Sequence, residues 1–193
     1  MKDAMKRFLS PLLFLALLAL NVAAPKIVHA EKADADKQTD IEADQSTYDD
    51  AKQISTFTGN VVLTRGTLTV KAAKIVVTQD PAGYQYATIY APAGGVATFR
   101  QKRDGGPNLW FEGQAQRIEY DGKTELVKLF TNARIRRLEG DKPSDELNGE
   151  FISYDSRANV MSANNSPTGQ SKPGSGRVKA VIQPRNTEQK SKQ

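Results

Sequence analysis

The sequence predicts an all-β protein, a folded-over, jelly-roll-like sandwich built from repeated antiparallel hairpins. Three observations predict it. Short β-prone runs follow one another from residue 39 to residue 182, clusters of Asp, Gly and Pro separate them, and no helical period runs long enough to compete.

The first thirty residues stand outside that fold. Lys2, Lys6 and Arg7 make a positive start, residues 9–20 are nearly all apolar, and Val28-His29-Ala30 offers a small-residue site before an acidic, polar sequence. This is the pattern of a secretory signal peptide, residues 1–30, cut after Ala30. A retained membrane anchor fits less well, because the run is short, carries Pro11 and meets Asn21, whereas a spanning helix wants about 20 apolar residues.

A polar lead, 31–38, precedes the single domain expected over 39–184. Strands are expected at 39–43, 54–64, 67–72, 74–78, 84–90, 95–101, 109–112, 116–120, 125–130, 133–138, 146–154, 159–163 and 177–182. Between them sit Asp49-Asp50, Asp80-Pro81-Ala82-Gly83, Asp104-Gly105-Gly106-Pro107, Asp121-Gly122 and Asp155-Ser156. These read as turns for a physical reason: Gly and Asp tolerate positive φ, and Pro pre-sets a corner. Residues 164–176, rich in Ser, Asn, Gly and Pro, read as a loop, and 185–193 as a disordered polar tail.

Within the strands the side chains alternate. Phe57, Gly59, Val61 and Leu63 share one face of the second run; Thr56, Thr58, Asn60, Val62 and Thr64 share the other. Leu68 and Val70, then Ile75 and Val77, continue the oily set after the turn at Arg65-Gly66. Period-two alternation buries one face and wets the other. The pattern also recurs. YDDAKQISTFTGNVVLTR (48–65) lies a constant 72 residues before YDGKTELVKLFTNARIRR (120–137), and DELNGEFISYD (145–155), after an insertion at 140–144, resembles TLTVKAAKIVV (67–77). Each unit leaves one oily face uncovered, so stacked units bury it together. A folded-over double sheet is the natural solution.

Composition limits the chemistry. There is no cysteine, and the sole histidine, His29, falls in the signal. Past residue 30 the chain therefore lacks the commonest general base, the thiol nucleophile and the usual zinc ligands. The remaining carboxylates are scattered at turns, so no catalytic pair, metal site or cofactor is expected. Although the whole chain is basic, residues 31–165 carry 17 basic and 20 acidic residues, a net of −3. No concentrated basic face is expected on the folded body, and hence no nucleic acid partner. Gly59-Asn60, Gly94-Gly95 and Gly105-Gly106 read as turns or bulges, since a phosphate cradle needs a following helix.

The strings IEADQSTYDDAKQISTFTGNVVLTRGTLTVKAAKIVVT, GGVATF, FEGQAQRIEYD and RVKAVIQP carry a resemblance. They resemble the OstA-like family of periplasmic lipopolysaccharide-transport proteins, over residue 39 to about 184. The departures are the more aromatic Leu109-Trp110-Phe111 hairpin and the insertion near Pro143. The resemblance implies an all-β, twisted, open-ended β-jelly roll whose slot holds the acyl chains of lipid A. It also implies head-to-tail stacking of copies into a bridge between the membranes, and pairing with related domains on the inner- and outer-membrane export components.

Under that resemblance the candidate lipid-binding residues are Thr39, Ile41, Phe57, Val61, Leu63, Leu68, Val70, Ile75, Phe99, Ile118, Tyr120, Leu129 and Ile135. Phe99 and Tyr120 match aromatics that face the slot in the family pattern. Alternation alone predicts only a filled sandwich core at these positions. Arg134, Arg136 and Arg137 could meet sugar phosphates, with Arg65 and Arg103 as weaker candidates; a solvated sheet face is the expectation for most of them. Trp110 is either a half-exposed ring at a hairpin tip or a partner contact. Two other functions compete with lipid transport: a periplasmic glycan-binding jelly-roll module, which wants more exposed aromatics on one face, and a carboxylate-based hydrolase, which lacks a candidate pair.

Overall fold

A computed structural model describes residues 34, 36–106 and 108–184, so the predicted signal and tail lie outside the described residues. Twelve strands lie among the described residues: β1 Thr39–Glu42, β2 Gln45–Asp49, β3 Ile54–Arg65, β4 Leu68–Gln79, β5 Gln85–Tyr90, β6 Ala97–Lys102, β7 Leu109–Ala115, β8 Arg117–Asp121, β9 Leu126–Glu139, β10 Lys142–Asp155, β11 Val160–Asn164 and β12 Lys179–Ile182. Every pairing is antiparallel, and all belong to one sheet. Aspartates close the turns as their chemistry predicts. Asp80 Oδ1 accepts the main-chain N–H of Ala82 and Tyr84, each at 2.9 Å, and Asp121 Oδ1 accepts those of Lys123 and Thr124.

The sheet is folded on itself along four long strands. The first part of β3 pairs with β2 and its second part with β1. β4 divides between β6 and β5, β9 between β8 and β7, and β10 between β12 and β11. One layer therefore runs β2-β3-β4-β5-β8-β9-β10-β11, and the other β1-β3-β4-β6-β7-β9-β10-β12. The fold lines carry bulges. In β3, Gly59 and Asn60 (φ 81° and 46°) lie between the pairs Thr58↔Lys74 and Val61↔Ala72, so two residues face one. In β9, Thr131 and Asn132 (φ 62° and 53°) lie in the same way between Phe130↔Phe151 and Ala133↔Gly149.

That likeness runs through the whole domain. Adding 72 to both members of Thr39↔Arg65 gives Phe111↔Arg137, and Gln45↔Thr58 gives Arg117↔Phe130; all four pairs occur. Even the bond from Asp44 N–H to the Gly59 carbonyl, 2.9 Å, has its counterpart from Gln116 to Thr131, 3.0 Å. β1 to β6 and β7 to β12 are thus two copies of one six-stranded unit. They join by β5 pairing with β8 and β6 with β7.

Three expectations need correction. Residues 67–72 and 74–78 form one strand, β4, and 125–130 and 133–138 form one strand, β9. A strand that crosses a fold line resembles two strands in sequence, because its inward set changes spacing there: Val70 and Ala72 face in before the line of β4, Ile75 and Val77 after it. β2 was not expected, because QSTYD lacks an apolar alternation and lies mostly exposed at an edge. The insertion at 140–144 lengthens the β9–β10 hairpin, with Lys142 opposite Glu139, and raises the spacing between the units from 72 residues in β3 and β9 to 77 in β4 and β10. Finally, the match of 145–155 to 67–77 is one residue out of register. The pairs Ile54↔Thr78 and Leu126↔Asp155 make β4 and β10 equivalent at a spacing of 77, not 78. A slip of one exchanges the faces, which hid Ile152 and Tyr154 from the inward set.

Candidate functional site: the apolar interior between the layers

The inner faces of the two layers meet in one apolar cluster. At its centre Val61, Ile75, Ile118, Leu129, Ile135 and Ile152 are 0–2% exposed. Burying each such side chain contributes about 1.5–3 kcal/mol. Ile75, Leu129 and Ile152 have no accessible surface at all, so no void the size of a water adjoins them. Aromatic rings bridge the layers beside this centre: Phe99 lies 5.7 Å from Phe111, and Phe111 4.9 Å from Tyr154 of the opposite layer.

Away from the centre the apolar strip continues with less cover. Ile41, Phe57, Leu63 and Leu68 pack against the cluster from the β1–β3 side, and Leu147, Met161 and Ala163 from the β10–β11 side, all partly exposed. At these flanks the layers end, and the edges β1, β2, β11 and β12 have no further strand beyond them among the described residues. The interior is thus a sealed middle between two half-covered apolar mouths.

The thirteen sequence-selected residues divide accordingly. Val61, Val70, Ile75, Ile118, Leu129 and Ile135 are buried at the centre; Ile41, Phe57, Leu63, Leu68 and Phe99 are partly buried around it. Tyr120 is partly exposed, and Thr39 is exposed at the rim of β1. Sequence reasoning missed Ile89, Phe111, Ile152 and Tyr154, which are buried in the same cluster. Phe111 stood out only as an unusual aromatic; its alternation with Gly113 and Ala115 was the available signal.

The lead is tied to the β3–β4 turn and to β6. Asp34 is 3% exposed, and its carboxylate accepts hydrogen bonds from the Thr67 main-chain N–H at 2.9 Å, the Thr67 hydroxyl, and the Gln101 side-chain amide at 3.0 Å. Burial pushes this carboxyl up, but the bonds from Thr67 and Gln101 and the charge of Arg65 outweigh it and hold it below its ordinary value. Gly66, at φ 59°, has no room for a side chain, since a Cβ would meet the Asp34 carboxylate. The lead, expected only as a polar leader, contains a fixed anchor.

The arginines separate by face. Arg137 shares the inward face with Phe111 and Ile135 and lies 3.9 Å from Asp145. Arg134 and Arg136 project to the outside with Glu112 and Gln114. There, with Lys71 and Arg100, they wall an outer hollow of about 380 Å³. A concentrated basic face therefore does exist on the folded body. Charge counting missed it because acidic residues elsewhere cancel the total. Trp110, also outward, stacks on Arg100 at 4.4 Å and lies 5.4 Å from Lys102.

Comparison with known proteins follows the same outline. Residues 40–160 match the family described as LptA/(LptD N-terminal domain) LPS transport protein. The chain belongs to this family. It is similar to the lipopolysaccharide export system protein LptA of Haemophilus influenzae, 30% identical over 185 residues covering 96% of this chain and 98% of that one. It is also similar to the LptA of Escherichia coli strain K12, 34% identical over 132 residues, 68% of each chain. Among solved structures, LptH from Pseudomonas aeruginosa, the LptA-homologous periplasmic component of a lipopolysaccharide transport device, shares the fold. Its TM-score is 0.65 at 24% identity, over 78% of this chain and 99% of that one. The predicted jelly roll is therefore the fold of a family member, and the stretch matched by the family model runs from β1 to the start of β11.

Proposed function

We propose that this chain is a non-enzymatic transport protein of the periplasm that carries lipopolysaccharide toward the outer membrane, shielding the acyl chains of lipid A between its two layers. The observation that carries the proposal is the apolar strip that reaches both open ends of the sandwich, in a member of the LPS transport family. Shielding is what such cargo needs: each CH₂ moved out of water is worth about 0.8 kcal/mol. The acyl chains enter at a mouth lined by Ile41, Phe57 and Leu63 and reach the centre when the layers part. Titrating purified protein with lipid A while following methyl signals of Ile41, Leu63 and Ile75 tests this. Shifts at the mouth residues first, then at Ile75, are expected; shifts confined to outward residues would contradict it.

The internal repeat also supports stacking of copies head to tail. Inside the molecule β5 pairs with β8 and β6 with β7. The structural counterparts of β5 and β6 in the second unit are β11 and β12, and those of β8 and β7 in the first are β2 and β1. One copy's β11 and β12 can therefore pair with β2 and β1 of the next, as the two units do within one chain. Transferring the observed registers places Val160 opposite Asp49 and Ile182 opposite Thr39. Val160 and Ile182 are 53% and 78% exposed, apolar residues that such a joint would cover. Two different edges make a contact that repeats without closing, and related domains at either membrane would end the row by the same strand addition.

A further inference from the structure

The outer face of the second layer carries a feature that the lipid path does not use. Outward residues of four neighbouring strands, Lys71 of β4, Arg100 of β6, Glu112 of β7 and Arg134 and Arg136 of β9, surround a hollow of about 380 Å³ floored at Phe99 and Gly113. Four cations there face a single carboxylate, a surplus of three. Glu112 is fully engaged, bonding Arg100 and Arg136 at 2.7 Å each. Among the described residues, Arg134 donates its side-chain hydrogen bond to the neutral Gln114, at 2.6 Å, and Lys71 has no carboxylate partner. Asp141, 3.6 Å from Arg100, stands almost wholly in solvent beyond the rim. A second hollow, which includes Arg177, adjoins the first and shares Gln114 and Arg134 with it.

A cross-strand ion-pair ladder matches charges one to one. This face does not. Like charges drawn together around a concave site repel until an anion joins them, and guanidinium forks beside an ammonium suit a phosphate. The hollow is much larger than an inorganic anion and falls within the range of small-ligand sites. Its walls offer Thr69, Thr98 and Gln114 as neutral hydrogen-bonding partners. We propose that this hollow binds a phosphorylated sugar on the outside of the sandwich. Lys71 and Arg134 hold the phosphate, and the neutral side chains meet the ring hydroxyls. The site is separate from the acyl path and stands or falls independently of it.

Trp110 is the only tryptophan of the chain, and its contact with Arg100 makes its fluorescence a reporter of the hollow. The full chain without its signal is titrated with N-acetylglucosamine 1-phosphate, with N-acetylglucosamine, and with inorganic phosphate. Saturable change is expected with the sugar phosphate, none with the neutral sugar, and binding at least about tenfold weaker with phosphate alone. Lys71→Gln and Arg134→Gln should each raise Kd by about tenfold or more while the circular dichroism stays unchanged. Lys128→Gln, on the other layer, should leave Kd unaltered. Equal affinity for inorganic phosphate would overturn the sugar assignment. No saturable signal, or one that survives both variants, would overturn the site. Competition then separates the sources. Displacement by lipopolysaccharide but not by its dephosphorylated form assigns the phosphate to the cargo, and displacement by neither assigns it to a free sugar phosphate.

Discussion

Phe111 and Tyr154 belong to opposite layers, yet their ring centroids lie 4.9 Å apart. Together with Phe99 they span the interior and seal it beside the fully buried centre. A sealed sandwich can admit an acyl chain only if this contact opens. Ring-to-ring nuclear Overhauser effects between Phe111 and Tyr154 should therefore be strong in the free protein and fade as lipid A is added. Phe111→Ala should cost about 3–5 kcal/mol in denaturant unfolding, the range for emptying a large aromatic site. A contact that persists at saturating lipid would place the cargo elsewhere.

Thr131 holds φ at 62° in the bulge where the first unit has Gly59. A β-branched residue in the left-handed region is strained by about 1–2 kcal/mol. Thr131→Gly should remove that strain and, after the entropy glycine adds to the unfolded chain, stabilise by roughly 0.5–1 kcal/mol. The reverse change, Gly59→Thr, should be strongly destabilising, because a Cβ there meets Asp44. Urea midpoints of the two variants check both signs.

Asp34 ties the lead to the β3–β4 turn and to β6. Asp34→Ala leaves the Thr67 N–H without its partner and should cost about 1–3 kcal/mol. Because the folded carboxyl is held below its ordinary 3.8, its stabilisation is complete above that value. It is lost as pH falls through the lower folded value. The stability curves of the variant and the parent should thus run apart near neutrality and converge in strong acid. A gap that stays constant down to the acid limit would mean that the carboxylate charge is not what anchors the lead.

Much of this architecture was legible in the chain because its cause is local. Alternation at Phe57, Val61 and Leu63 reflects one buried face, and the Asp-rich turns reflect bonds that Asp80 and Asp121 make to nearby N–H groups. The 72-residue echo anticipated two equivalent hairpins whose registers agree pair by pair. What local pattern could not convey was how one strand passes between layers. The fold lines at Ala73 of β4 and at Thr131 and Asn132 of β9 interrupt the alternation, so each strand resembled two. The β4–β10 match slipped by one residue at the longer β9–β10 hairpin, which concealed Ile152 and Tyr154. Asp34 was illegible for another reason: its partners lie 33 and 67 residues away. So was the outer hollow, whose cations come from three strands that only the pairing brings side by side.

The register transferred from β6–β7 makes assembly a specific claim. Cysteines at Thr39 and Ile182 of the chain, which has none of its own, should form intermolecular disulfides readily. A pair moved by one residue, Asp40 with Ile182, should not, since its side chains project to opposite faces. Truncation after Ser175 removes β12, and the shortened chain should still fold and bind lipid but remain monomeric by light scattering where the full chain associates. Equal association of both forms would exclude the C-terminal strand as the joint.

The central claim is that the cargo's acyl chains lie between the layers. The most direct measurement places a photo-reactive side chain at inward positions Phe57, Phe99 and Tyr120, which are partly exposed, and at the exposed outward positions Thr58 and Thr64. Irradiation in the presence of lipopolysaccharide should label the three inward positions and leave the two outward ones unlabelled. Equal labelling of both sets, or labelling of the outward set alone, would contradict it.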